Sequence, residues 1–390
     1  MLYWEAMQRN IRVLTWFNFF SEFKLYAPLA IVYFAQVSGS FALGMAVFSI
    51  ARIFSAAFEI PTGVFSDRIG RKKTMILGSL SAILFTIFYA IGGSFWFLVI
   101  GAILEGLSIS FYSGNNNALL HDTLKEADQT DKYAEVLGKT SKMFPAALAI
   151  SALLGGLFSL WSLSLIVWLS VIPQILCLFL AFLIKDPATI SRMSGNIYQN
   201  LKEAYLQFVR NKKLRYLSLT SILSDGFGEA GFTFQSAFYQ MIWPIWAIPI
   251  AKTISYIGAT AGFHYAGRII KKFNIYKVLI AGNFYTRSLY LFATGIPTVF
   301  SPLLLSFSSL FYGSVIVGRG SLMQGEYSDE RRATMGSLNS FAGSIFFGIV
   351  SFTLGFVADL MTPRWALFFI QFFHLTTVIF YWKLYKIHKS

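Results

Sequence analysis

The chain has 390 residues, 56% of them hydrophobic and 13% charged, with 32 lysines and arginines against 18 acids and a formal charge of +14. So apolar a composition excludes an ordinary soluble domain and indicates a chain that crosses a membrane many times. Nucleic-acid binding is excluded by the placement of the cations, which lie between apolar runs rather than on one soluble surface.

Runs of about 20 apolar residues, each able to cross ~30 Å of hydrocarbon, fall at 12–36, 41–65, 74–92, 95–120, 134–159, 162–184, 215–240, 243–267, 276–294, 299–324, 333–357 and 364–384. The predicted fold is an all-α membrane protein with twelve transmembrane helices. The first run outlasts the core of a cleavable signal peptide and contains Glu22 and Lys24, so it is read as a retained span. An even number of spans puts both termini on one side. The connections on that side hold 26 lysines and arginines, against Arg364 alone on the other, which makes it cytoplasmic.

An ionisable residue near a span centre costs ~2.5–3.5 kcal/mol on insertion scales, so each marks a candidate site. Span one carries Glu22 and Lys24, span two Arg52 and Glu59, and span four Glu105. Arg52 and Glu105 come to matching depth and are expected to pair. Asn115, Asn116 and Asn117 follow toward the cytoplasmic end of span four, where they either bind polar substrate or bond between helices. Cys177 in span six is the single cysteine, so no intramolecular disulfide can form.

A long polar stretch then separates an N-terminal bundle (1–186) from a C-terminal bundle (215–390) and is read as a cytoplasmic linker, 187–214. Within it "NIYQNLKEAYLQFV" has helical apolar spacing and is expected to lie along the membrane surface. Span seven presents Asp225 and Glu229 one turn apart among Gly226, Gly228 and Gly231, and Lys252 of span eight comes to similar depth. A carboxylate in a low-dielectric site can take up and release a proton as water access alternates, and glycines this dense let a helix bend. Structural ion pairing is the alternative role for all these charges.

Between spans two and three lies "GVFSDRIGRKK" (63–73), with one acid and four cations. Gly63 is read as letting two helices approach closely, and Gly70 as permitting the tight reversal into span three. Shifting the sequence by 204 positions lays Gly63 on Gly267, Gly78 on Gly282, Gly114 on Gly318 and Asp122 on Glu326. The chain is thus read as a duplicated six-span unit.

The loop resembles the signature G-x-x-x-D-R-x-G-R-[RK]-[RK] of the major facilitator superfamily, carried here by Gly63, Asp67, Arg68, Gly70, Arg71, Lys72 and Lys73. "EIPTG" (59–63) and "SGNNNALLHDTL" (113–124) are similar to bacterial members described as drug or metabolite efflux proteins. The resemblance implies a rocking-bundle, alternating-access transporter of a bacterial cytoplasmic membrane. It also implies a gate in which Asp67 faces the N-terminus of span eleven while Arg71 pairs with Asp122. Lys271 stands where the second repeat would carry that acid, so gating is expected to be asymmetric. Two family patterns are incomplete: span four reads "AILEG", without the usual proton-relay arginine, and span five reads "SALLGG".

There is no G-x-x-x-x-G-K-[ST], hence no intrinsic ATPase, and His121, His264 and His374 are too scattered for metal-ligand spacing. No cofactor is expected, and no nucleophile and base pair marks an enzyme. These features describe a monomeric secondary transporter of a small organic solute, driven by proton antiport in the efflux direction. Uptake or facilitated diffusion of a polar metabolite, and a non-transporting membrane receptor or scaffold, are the alternatives.

Overall fold

A computed structural model describes residues 2–186, 206–327 and 332–389, and among them there are helices and no strand. The helices are α1 (Leu2–Ser21), α2 (Ala30–Ser38), α3 (Phe41–Ile69), α4 (Arg71–Ile91), α5 (Phe95–Tyr112), α6 (Asn115–Glu126), α7 (Tyr133–Ser141), α8 (Met143–Phe158), α9 (Leu163–Leu169), α10 (Val171–Leu183), α11 (Lys212–Tyr239), α12 (Ile248–Phe273), α13 (Ile275–Gly295), α14 (Ser301–Phe307), α15 (Tyr312–Glu326), α16 (Arg332–Leu360) and α17 (Pro363–Lys389). Among the described residues, eight helical stretches are long and apolar enough to cross a bilayer. The helices α11, α12 and α13 are 28, 26 and 21 residues long but more polar.

Five of the predicted spans are interrupted rather than continuous: 12–36 between Ser21 and Ala30, 95–120 at Ser113 and Gly114, 134–159 at Lys142, 162–184 at Ser170, and 299–324 at a 3-10 turn, Ser308–Phe311. Hydropathy registers a run of apolar side chains and not the path of the backbone beneath it. Gly114, for instance, has φ +71° and separates α5 from α6 inside the predicted run 95–120. The surface helix expected from "NIYQNLKEAYLQFV" lies mostly outside the described residues.

The chain divides into two compact units, residues 1–33 with 50–193 and residues 34–49 with 194–390. In the first, α4 packs along α5 and α10, while α1 lies against α6, α8 and α10. Leu14, Phe17, Met75, Leu119 and Cys177 form a core there, with Cys177 fully buried and its Sγ 3.8 Å from the Phe17 carbonyl. In the second unit α11 packs on α16 and α17, α13 on α17, and α12 on α15. Leu214, Leu217, Leu279, Met335 and Tyr381 are central to its core. Residues 34–49 are held within this unit by Asp359 at the end of α16. Its carboxylate accepts from the Ser40 hydroxyl at 2.6 Å and from the N–H groups of Phe41 and Ala42 at 2.7 and 2.9 Å. A carboxylate placed there meets donors that the start of α3 leaves open and complements its dipole.

The 204-residue repeat is visible inside each unit. Gly70 and Asn274, equivalent under the shift, have φ of +95° and +69° and each precedes a helix. Asn274 holds that conformation by accepting the Tyr276 N–H at 3.0 Å, whereas the helix after Gly70 is capped by Asp186, which accepts the Lys72 N–H at 2.8 Å. Farther along, a Cβ added at Gly78 would lie 2.5 Å from the Tyr112 ring and 3.1 Å from Phe111, and one at Gly282 would lie 2.7 Å from Val315, the equivalent of Phe111. Both glycines bring two helices together at the same repeat position.

Gly78→Ala is expected to destabilise the protein by about 1–3 kcal/mol through overpacking. Gly320→Ala, whose new Cβ would meet nothing within 4 Å, should instead gain up to about 1 kcal/mol of helix propensity. Thermal unfolding in detergent checks both: the first midpoint falls, and the second holds or rises.

Candidate functional site

In the first unit the polar site is built on the break in α1. The helix stops at Ser21, residues 22–26 are non-helical, and a 3-10 turn, Ala27–Leu29, restarts the chain with Pro28 in its first positions. Proline suits a restart because the first helical N–H groups have no intrahelical partner. The freed backbone finds other partners. The Leu25 N–H donates to Ser170 Oγ at 2.9 Å, and the Leu25 carbonyl abuts Gly155 of α8 so closely that a Cβ there would collide with it.

This path brings Lys24 to Glu105. The Lys24 Nζ lies 3.3 Å from Glu105 Oε1 and 5.2 Å from the Phe85 ring centroid, and the Tyr89 hydroxyl donates to Glu105 Oε2 at 2.8 Å. Both side chains are 17% exposed, shielded yet reachable. Glu22 sits at the break itself and is partly buried. Arg52, expected opposite Glu105, is an exposed residue of α3, and Lys24 is a cation that pairs with Glu105.

The corresponding helix of the second unit is whole, since α11 runs through Asp225 and Glu229 without interruption. Asp225 Oδ1 lies 2.5 Å from Arg319 Nη2 on α15, and Asp225 Oδ2 accepts from the Ser221 hydroxyl at 3.1 Å. Asn339 extends the network, donating to Ser221 Oγ at 3.0 Å and accepting from the Ser218 hydroxyl at 2.5 Å. The arginine is 8% exposed and the acid 31%, so the acid is the wetter partner. Glu229 lies one turn farther on and is partly buried.

Lys252 is not beside these acids. Its Nζ donates to the Phe232 carbonyl at 2.5 Å and to Gln235 Oε1 at 3.0 Å. The reason lies in the start of α12, which begins at Ile248 rather than at the predicted 243, so Lys252 enters only one turn into the helix. Gln235 in turn donates to the Tyr290 hydroxyl at 2.5 Å. Arg287 donates to Gln371 Oε1 at 2.9 Å and contacts His374 Nδ1.

At the loop 63–73, Arg71 Nε lies 3.4 Å from Asp122 Oδ2. Arg71 also donates to Ser66 Oγ at 2.9 Å, Ser66 donates to Asn115 Oδ1 at 2.8 Å, and Asn115 Nδ2 donates to the Arg71 carbonyl at 3.2 Å. With Arg71 6% and Asp122 1% exposed, this is a closed polar knot. Asn115 therefore spends its amide on the loop. Gly63 departs from expectation, because a Cβ there would meet nothing within 4 Å and no close helix approach depends on it. Arg68 is exposed, and the side chain of Asp67, a residue of α3, lies outside the described residues. In the second unit Glu326, the equivalent of Asp122, pairs with Lys213 at 2.7 Å and accepts from Asn211 at 3.0 Å.

Lys24 and Arg319 can be found in the sequence as cations inside apolar runs, whereas Tyr89, Asn339 and Gln235 carry no such mark. Among the described residues no three His, Cys, Asp or Glu side chains gather in a way that could hold a metal ion.

A family model described as Major Facilitator Superfamily matches residues 13–248. A Na(+), Li(+), K(+)/H(+) antiporter of Planococcus maritimus is 24% identical over 204 residues, 50% of this chain and 45% of that protein. The uncharacterized MFS-type transporter YxaM of Bacillus subtilis is 26% identical over 254 residues, 61% of this chain and 59% of that protein. The matches thus span about half the length of these curated relatives. The crystal structure of the nucleoside transporter NupG has a TM-score of 0.82 at 14% identity, covering 97% of this chain and 99% of that one, a likeness of fold. Since the family match takes in more than half of its length, the chain belongs to the Major Facilitator Superfamily.

Proposed function

We propose that the protein is a secondary transporter that moves a small organic solute across a bacterial cytoplasmic membrane by alternating access, coupled to protons and working in the export direction. The observation that carries this reading is the presence in each unit of an acid and base pair within its helices, Lys24 with Glu105 and Asp225 with Arg319, whose acids keep some exposure. An acid that trades its cationic partner for a proton changes the charge of the site without leaving it, which is the elementary step of coupling. Two further points support it. The Planococcus relative is named as an antiporter that exchanges metal cations for protons, and the break at 22–26 gives the first unit a discontinuous helix of the kind that lines transport sites.

On this reading the chain has twelve spans in two six-helix bundles, 1–186 and 215–390, joined by a cytoplasmic linker, 187–214, with both termini cytoplasmic. It works as a monomer. The loop is a gate in which the Arg71 and Asp122 pair holds the turn at Gly70 in place and Asp67 and Arg68 act on the opening.

Reconstitution in proteoliposomes tests coupling with a panel of labelled organic solutes and an imposed pH gradient. At least one solute should accumulate and then leak away when a protonophore is added. Asp225→Asn and Glu105→Gln should each lower the gradient-driven flux by about tenfold or more, while exchange without a gradient stays within severalfold. Accumulation indifferent to the pH gradient would remove proton coupling, and no movement of any solute would remove transport.

The gate has its own test. Asp67→Asn should shift the population toward cytoplasm-open states, since a dipole or partly buried charge contribution of about 1–2 kcal/mol moves an equilibrium roughly tenfold. Labelling of engineered cysteines on the two sides reads that shift, and unchanged accessibility on both sides counts against the gate.

A further inference from the structure

Apart from the Asp225 and Arg319 pair, the second unit buries two cations whose described partners are all neutral. Lys252 is 3% exposed and Arg287 7%. The ammonium of Lys252 meets the Phe232 carbonyl and Gln235 Oε1 and lies 3.8 Å from the Phe232 ring centroid. An ammonium has three donors, so one is left over. Arg287 contacts Gln371 Oε1 and His374 Nδ1 through Nη1, while its Nε is buried with no hydrogen-bond partner, as is His374 Nε2.

The two cations belong to one connected set. Gln235 accepts from Lys252 and donates to the Tyr290 hydroxyl, and the Tyr290 ring centroid lies 5.4 Å from the Arg287 guanidinium carbon. Beside this set α11 presents glycine twice. A Cβ at Gly228 would stand 3.5 Å from His374 Cε1, and one at Gly231 would stand 4.0 Å from Gln371 Nε2, so neither position crowds them.

A buried cation without an anionic partner is costly, and the cost is removed when an anion arrives with acceptors for its free donors. We propose that Lys252 and Arg287 form an anion site that takes the carboxylate or phosphate group of an organic solute. Such a group supplies the missing negative charge, an acceptor for the third Lys252 donor and an acceptor for Arg287 Nε. The proposal deepens the transport reading by naming organic anions as the substrate class, and it rests on that reading only for the fate of the bound solute.

Thermal unfolding of the purified full chain in detergent tests the site, with millimolar citrate, benzoate or inorganic phosphate compared with chloride at matched ionic strength. At least one of the three should raise the midpoint by several degrees. A response to citrate or benzoate assigns carboxylates, and a response to phosphate alone assigns phosphate chemistry. Lys252→Gln and Arg287→Gln should each abolish the shift, while Lys252→Arg, which keeps the charge, retains it. Without added anion Lys252→Gln should unfold no earlier than the unaltered protein, because it removes an uncompensated charge. The proposal is overturned if none of the three anions shifts the unaltered protein, or if the shift survives in Lys252→Gln. Proton-driven flux of a neutral or cationic solute with no anion response would sink this site and spare the transport reading; an anion response without flux of any solute would do the reverse.

Discussion

Inside hydrocarbon a chain has no water to turn to, so each backbone N–H and C=O has to be satisfied by the protein itself. The helices follow from that constraint, and so does the manner in which one of them is broken. Residues 22–26 leave the helix only where Ser170 offers a hydroxyl to the Leu25 N–H and where Gly155, lacking a side chain, lets α8 come up against the Leu25 carbonyl. The break then sets the direction of Lys24, and Lys24 pairs with Glu105. Backbone satisfaction is thereby upstream of the ionic chemistry of the first unit.

The second constraint is that charge within the helices is compensated, and the duplication shows how freely that can be done. In the first unit the base lies on the first predicted span and the acid on the fourth, Lys24 to Glu105. In the second unit the acid lies on the seventh and the base on the tenth, Asp225 to Arg319. The seventh and tenth spans are the repeat equivalents of the first and fourth, so the same two helices of each half are bridged with acid and base exchanged. The loop acid behaves in a similar way. Asp122 is met by Arg71, and its equivalent Glu326 is met by Lys213 from another helix. What the halves share is the place where charge is tolerated rather than the identity of the residue that bears it.

Much of this is legible in the sequence. Apolar runs locate α3, α4, α11, α13 and α16 to within a few residues, and the 204-residue shift pairs Gly78 with Gly282, both of which stand where helices come into close contact. Other features were hidden for physical reasons. Hydropathy averages over a run and does not register residues 22–26 leaving the helix within it, nor the approach of Lys24 to Glu105 that follows. Lys252 was misplaced because α12 starts five residues later than the apolar run does. Gly63 is a different case. Its place in a recognisable motif invited a packing role, yet a Cβ there would meet open space.

Cys177 carries a consequence of its own. The only thiol in the chain lies wholly inside the first unit, against the Phe17 carbonyl where α10 meets α1. A soluble maleimide or spin-label reagent has no route to it while that contact holds. The protein thus offers a silent background for site-directed spectroscopy: a reporter attached anywhere on its surface would speak for that position alone, with no native thiol to be replaced and no disturbance to the joint between the two helices.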